Sequence, residues 1–375
     1  MLVAQQGGPQ GGPTTDADPA TAPAEADPAP APHRHRPTLW AAAGLTALLL
    51  VLALFSLLIG SGSHPMGRAL DFLLGDPGAR ADPQLRLAVM DVRVPRTIAA
   101  VLVGVALGTA GALLQAVTRN PLAETGLLGV NSGAALGVVI GLTYFGVSSP
   151  AGILVWALVG GMAASAVVLL LAASGRAAGS PLRLVLAGSA LGATFHGMTS
   201  YVLLGTQSTF DVYRYWTIGS LAGIKTSTTL TMLPIVAVGL LIALGAGRPL
   251  SALALGDDSA RSLGHRPARI RIVVAGAVTL LAGAAVALAG PIAFLGLLAP
   301  YAARTVTGPR MSAQLLLSAL VAADVMIAAD ILARVIIRPW ETPVSVLLAL
   351  VGGPLLIWIA RTNRMTGLGA SGANA

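Results

Sequence analysis

Few residues in this sequence could do covalent chemistry, and their spacing argues against most of it. The single lysine, Lys225, lies in the run Gly219-Ser220-Leu221-Ala222-Gly223-Ile224-Lys225-Thr226. A phosphate-cradling loop needs glycine directly before the lysine. Ile224 breaks that pattern, so the chain does not hydrolyse nucleotide itself. Cysteine is absent, which removes disulfides and thiolate metal sites. No His-Glu-x-x-His or Gly-x-Ser-x-Gly run occurs, and no carboxylate–histidine spacing suits a metal. What remains are ionisable groups set in apolar stretches, chiefly Asp324, Asp330 and Arg334. Carboxylates at membrane depth are candidate proton sites by default. Asp330 stands four residues before Arg334, the spacing that pairs side chains on one helix face. Asp324 has no such local partner.

The elements that must position these groups are built for lipid. The 375 residues are 55% hydrophobic and only 10% charged, with a mean hydropathy of +0.79; soluble domains carry about 25% charged residues. Apolar runs fall at about 38–60, 94–118, 127–146, 150–173, 183–205, 227–247, 272–290, 312–335 and 343–360, near the ~20 residues a bilayer requires. The stretch 296–305 follows a break at Gly290-Pro291 and would reach only about 15 Å. It reads as a half-helix surrounded by protein, the one place where irregular backbone is tolerated at that depth. The expected fold is an all-α membrane protein of about ten transmembrane helices in one bundle. Glycines recur at four-residue spacing, at Gly104 and Gly108, at Gly133, Gly137 and Gly141, and at Gly188 and Gly192, marking seams where helix backbones approach closely.

Three segments are read along the chain: a Pro/Ala-rich N-terminal tail at 1–37, read as disordered, a polytopic transmembrane domain at 38–362, and a C-terminal tail at 363–375. The net charge of +8 lies in short clusters between apolar runs rather than along one face, which argues against nucleic acid. With the N-terminus inside, basic residues are in modest excess on the cytoplasmic side. The longest polar stretch is 248–271. Within it Asp257 is placed to cap a short helix over 258–263, and Gly264 to close it in the left-handed conformation.

Several ordered motifs carry a resemblance. Arg93-Val94-Pro95-Arg96, Gly111-Ala112-Leu113-Leu114-Gln115 and Thr118-Arg119-Asn120-Pro121-Leu122-Ala123-Glu124-Thr125-Gly126-Leu127-Leu128-Gly129-Val130 resemble the signature of FecCD/BtuC permeases. These are the membrane subunits of type II ABC importers for iron–siderophore, haem and cobalamin. Leu255 to Gly264, Ala289 to Gly296 and Ala329 to Arg334 match in order, and the likeness is closest to the ferric-enterobactin type.

The resemblance implies a set of roles. A bacterial plasma or inner membrane protein would pair with a second permease subunit, identical or not, and rest on two ABC ATPase subunits. Those would hold ATP and Mg, leaving no cofactor or metal in this chain. The short helix, with Gly256, Asp257, Asp258, Ala260, Arg261, Leu263 and Gly264, would be the cytoplasmic coupling helix. Arg93, Arg96 and Arg334 would face outward and dock a substrate-binding protein through its carboxylates, which guanidinium holds bidentately. Asn120, Leu122, Ser180, Pro181 and Leu182 would form a gate, and Gln115, His196, Met198, Thr199 and Ser200 would line the pathway. Tyr301 stands where the family commonly has histidine and is given no role. The cargo implied is a ferric siderophore, with haem or cobalamin as alternatives. A competing reading is a proton-coupled carrier using Asp324 and Asp330. A third, a membrane-embedded enzyme, lacks any nucleophile or metal constellation.

Overall fold

The computed structural model describes residues 36–62, 65–174, 181–308 and 310–361. In chain order the helices are α1 (Arg36–Leu58), α2 (Met66–Leu74), α3 (Pro77–Arg80), α4 (Pro83–Arg86), α5 (Val94–Thr118), α6 (Val130–Tyr144), α7 (Pro150–Ala173), α8 (Pro181–Leu204), α9 (Gln207–Ile218), α10 (Thr226–Ala254), α11 (Asp257–Ser262), α12 (Pro267–Ala289), α13 (Leu295–Thr307), α14 (Met311–Val335) and α15 (Val344–Arg361). Among the described residues there is no strand. Six helical segments are long and apolar enough to cross a bilayer.

Burial sorts them. The segment Pro83–Thr118 has 83% of its most apolar window buried, whereas α1 has 11%; α5 is therefore the axis of the bundle and α1 its rim. The buried side chains of α5, among them Leu102, Val103, Leu107, Leu113 and Leu114, join the main core, and its glycines let neighbouring backbones come close. A methyl group on Gly104 would sit 2.5 Å from the Ala323 Cα, one on Gly108 would lie 2.3 Å from the Ser318 carbonyl oxygen, and one on Gly111 would lie 1.7 Å from that of Gly296. Backbone-to-backbone approach is what holds α5 against α14 and α13. The same device joins α6 to α7, where Gly133 and Gly137 meet Gly160. Gly188 abuts the Leu127 carbonyl, but Gly192 meets only the Ser132 hydroxyl at 3.6 Å, an ordinary contact.

Several boundaries differ from the sequence reading. The 94–118 span is extended toward its N-terminus by a π-helical stretch, Leu87–Arg93, and by α4, giving a continuous helix of 36 residues. The preceding loop folds into α2 to α4, where Asp76 and Asp82 accept backbone N–H bonds ahead of prolines, as N-caps do. These helices bury their own small core of Leu58, Ala69, Phe72, Ala79, Leu85 and Val89. The 248–271 stretch is largely helical: α10 runs on to Ala254 and α12 begins at Pro267. Asp257 does not cap the short helix. Gly256, at φ 123°, takes the N-cap position and no side chain caps it. The predicted close does form, with Gly264 at φ 80° and bonds from Gly264 N to Arg261 O at 2.9 Å and from His265 N to Ala260 O at 2.9 Å. The half-helix starts at Leu295 after a turn in which Phe294 has φ 68°.

Candidate functional site

The two charged ends of α5 carry the arrangements of interest. At its start, α1 stops at Leu58 and leaves its last carbonyls without helical partners. Arginines supply the donors: Arg93 Nη1 donates to Leu57 O at 3.0 Å and Leu58 O at 2.9 Å, and Arg334 Nη1 donates to Ser56 O at 2.8 Å and Ile59 O at 3.1 Å. Arg334 also bonds the Asp330 carboxylate and the Ser56 hydroxyl. Arg96 Nε reaches the other Asp330 oxygen at 2.7 Å, and its Nη1 reaches Glu341 at 2.5 Å. Ser61 Oγ donates to Glu341 at 2.7 Å. Cationic donors at a helix C-terminus also oppose the negative end of its dipole.

Arg93, Arg96 and Arg334 are 3%, 3% and 1% exposed and line a cleft of about 210 Å³ together with Gly60, Ser61 and Glu341. They clamp α1, α5, α14 and the loop after α14 together. The pairing of Asp330 with Arg334 weighed above is present. Glu341 lies outside the spans; burial raises its pKa, but the hydrogen bond and charge of Arg96 outweigh this and hold it below the usual range.

At the other end of α5, 23 residues on from Arg96 and so about 35 Å along the helix, stands Arg119. It ends α5 in the left-handed conformation and donates to Leu253 O at 2.5 Å and Asp257 Oδ1 at 3.0 Å. Arg271 of α12 holds both Asp257 oxygens, at 2.7 and 3.0 Å. Burial raises the pKa of Asp257, and the Arg271 bond and the charges of Arg271 and Arg119 bring it below its ordinary value. Ala260 is buried beneath α11, Leu255 and Leu263 project outward, and Asp258 pairs with Arg261 on the exposed side. The short helix is thus a protrusion tied to both α5 and α12.

Other predicted positions divide. Asn120 and Leu122 form a tight exposed turn, with Leu122 N donating to Asn120 Oδ1 at 2.9 Å. Leu182 is exposed near the start of α8, which begins at Pro181; Ser180 lies outside the described residues. His196, Met198 and Ser200 lie on an exposed face of α8. Thr199 is buried, its hydroxyl bonded to Phe195 O at 2.8 Å. Gln115 is 2% exposed, donates to Leu297 O at 3.2 Å and accepts from Arg304 at 2.8 Å. Tyr301 is half-buried in α13. Asp324 is buried with no hydrogen-bond partner for either oxygen among the described residues.

Sequence reasoning missed Glu341, Ser56, Arg119 and Arg271 as partners, and it missed Glu124, which accepts the Phe294 N–H at 3.0 Å and steadies the turn before the half-helix. Charge balance could have found Glu341, the carboxylate that follows the Arg334 span.

A bundle with six helices long and apolar enough to cross a bilayer and a buried ion-pair cluster at one end of α5 has the build of a multi-pass membrane protein. The profile of the FecCD transport family matches residues 48–362, and the chain belongs to that family. It is 41% identical to the ferric enterobactin transport system permease protein FepD of Escherichia coli (strain K12), over 86% of this chain and 95% of that protein. The probable siderophore transport system permease protein YfiZ of Bacillus subtilis (strain 168) is 39% identical over 73% and 82%. A solved structure described as an inward-facing conformation of a putative metal-chelate type ABC transporter superposes with a TM-score of 0.75 at 28% identity, covering 86% of this chain and 98% of that one. The chain is accordingly a multi-pass protein of the bacterial inner membrane.

Proposed function

We propose that the chain is the membrane-spanning subunit of an ATP-driven importer. It would pass a ferric siderophore delivered by a substrate-binding protein and be driven by separate ABC ATPase subunits that hold ATP and Mg. A second permease subunit would complete the pathway. The observation that carries the reading is α11, a short rigid helix whose Asp257 is tied to the end of α5 and the start of α12. A push on such a helix reaches the central axis of the bundle instead of bending a loop. The names of the relatives support an iron-chelate cargo; haem and cobalamin are the alternatives to exclude by competition.

The test is reconstitution with its ATPase and binding protein in vesicles. Gly264 has φ 80° and open space around it, so Gly264→Pro should break the closing turn while leaving the bundle intact. Hydrolysis should continue and siderophore uptake should fall toward background. Normal uptake by this variant would defeat the coupling role. The carrier reading now rests on Asp324 alone, because Asp330 is held by two arginines. It requires uptake driven by an ion gradient without nucleotide and lost in Asp324→Asn.

A further inference from the structure

Beside α11, a groove of about 690 Å³ lies between α10 and α12. On α10 it is walled by Ile242, Gly245 and Pro249, and on the other side by Arg266, at the N-cap of α12, and by Arg269 and Val273 of α12. Both sets recur at helical spacing and so share one face of each helix. Polarity changes steadily along the groove. His265, Arg266 and Arg269 stand at the end nearest α11, while Ile242 and Val273 lie seven residues deeper than Pro249 and Arg266. At 1.5 Å per residue that is about 10 Å. The mouth is cationic and the depth is apolar.

The mouth also lacks an internal counterion. Among the described residues, Arg266 and Arg269 are exposed and make no ion pair, whereas their neighbours Arg261 and Arg271 hold Asp258 and Asp257. A methyl group added to Gly245 would meet nothing within 4 Å, so the wall is open at its middle. A wholly hydrated arginine pair would need no such apolar slot behind it, and a small anion would leave the slot unfilled. A molecule with an anionic head and an aliphatic tail satisfies both parts.

We infer that this groove binds one anionic phospholipid of the leaflet on the α11 side, its phosphate between Arg266 and Arg269 and its acyl chain against Ile242 and Val273. Basic pockets between helices at a membrane surface recognise lipid head groups in this way. The lipid would brace the start of α12, the helix whose Arg271 holds Asp257, and so steady the coupling helix. That this leaflet is the cytoplasmic one rests on the importer reading; the binding itself does not.

Native mass spectrometry of the purified full chain tests the site. Phosphatidylglycerol should stay bound where phosphatidylcholine is lost. Each arginine near a membrane surface contributes about fivefold, so Arg266→Gln with Arg269→Gln should weaken retention about thirtyfold. Gly245→Leu, which fills the apolar wall and leaves the charges in place, should weaken it as well. Equal retention of the two lipids would overturn the proposal. So would displacement of phosphatidylglycerol by inorganic phosphate, or indifference to Gly245→Leu, either of which would mark an anion site without a lipid. If the double variant shed the ATPase subunits in phosphatidylcholine vesicles too, the face would belong to a protein partner and the lipid assignment would fail. Because binding is read on the isolated chain, failure of the importer reading would appear separately, as absence of nucleotide-driven uptake.

Discussion

Asp330 is fully buried between two guanidinium groups, which are themselves almost fully buried. Replacing one member of such a set leaves the others as uncompensated charges, at a cost of about 3–5 kcal/mol. Asp330→Ala should therefore lower the melting temperature of the purified chain sharply. Glu341→Gln should cost far less, because that carboxylate is 24% exposed and Arg96 keeps Asp330. Comparable losses from both would contradict the assignment of Asp330 as the buried anchor. The pH dependence differs in kind. Arg96 holds the folded pKa of Glu341 below its unfolded value, although burial opposes this. Its stabilisation is present above the unfolded glutamate pKa of about 4.3 and is lost as pH falls through the lower folded value. Melting temperature measured on acidification should fall in the parent chain and fall less in Glu341→Gln. The same geometry means that Arg93→Glu with Arg96→Glu would disturb folding before any docking could be read. From sequence alone, the arginines and Asp330 were legible as charges in apolar spans. Their destination was not, because Arg96 and Glu341 are 245 positions apart and no local spacing joins them.

The elements were more legible than their contacts, for a physical reason. Apolar run length reports exposure to lipid, and it placed most spans within a few residues. It could not see that the helical backbone continues upstream of α5 through the π-helical Leu87–Arg93, where Asp91 and Arg93 interrupt the apolar run. Nor could it show α9, whose aromatic and polar residues mix without a long apolar run. Four-residue glycine spacing did mark real seams, but spacing alone could not separate Gly188 from Gly192. The structure ranks them by what a Cβ would meet, and this yields a paired expectation. Gly108→Ala places a methyl group 2.3 Å from the Ser318 carbonyl oxygen, so α5 and α14 must part, with a cost of about 1–3 kcal/mol as in other overpacked interiors. Gly276→Ala, on α12, meets nothing within 4 Å and should be neutral or gain about 0.5–1 kcal/mol from the helix preference of alanine. Thermal melts of the two variants in the same detergent decide the matter. Equal behaviour would mean that the α5–α14 approach is looser than described.

At the scale of the whole molecule, α5 joins a clamp of buried charges at one end to the protruding helix at the other. Because Asp257 binds both Arg119 and Arg271, α11 can move only if α5 and α12 move with it or these pairs break. Coupling should then be a property of the pairs. On the importer reading, Arg119→Gln removes one partly exposed ion pair worth about 1 kcal/mol at most and should reduce uptake per ATP hydrolysed by a factor on the order of five without preventing assembly, whereas Asp257→Asn removes that pair and the one to Arg271 and should reduce it further. If they act as one link, the double variant should be little worse than Asp257→Asn alone, because residues sharing an interaction are not additive. Acidification gives an independent reading. The bonds and charges from Arg271 and Arg119 depress the folded pKa of Asp257 against the push of burial, so the link persists above the ordinary aspartate value and loosens as pH falls through the folded one. Uptake per ATP should decline at that acid limb in the parent protein and show no such limb in Asp257→Asn. Fully additive losses in the double variant, with an unchanged acid limb, would mean that α11 transmits its motion through its apolar seat at Ala260 and not through the charged tie.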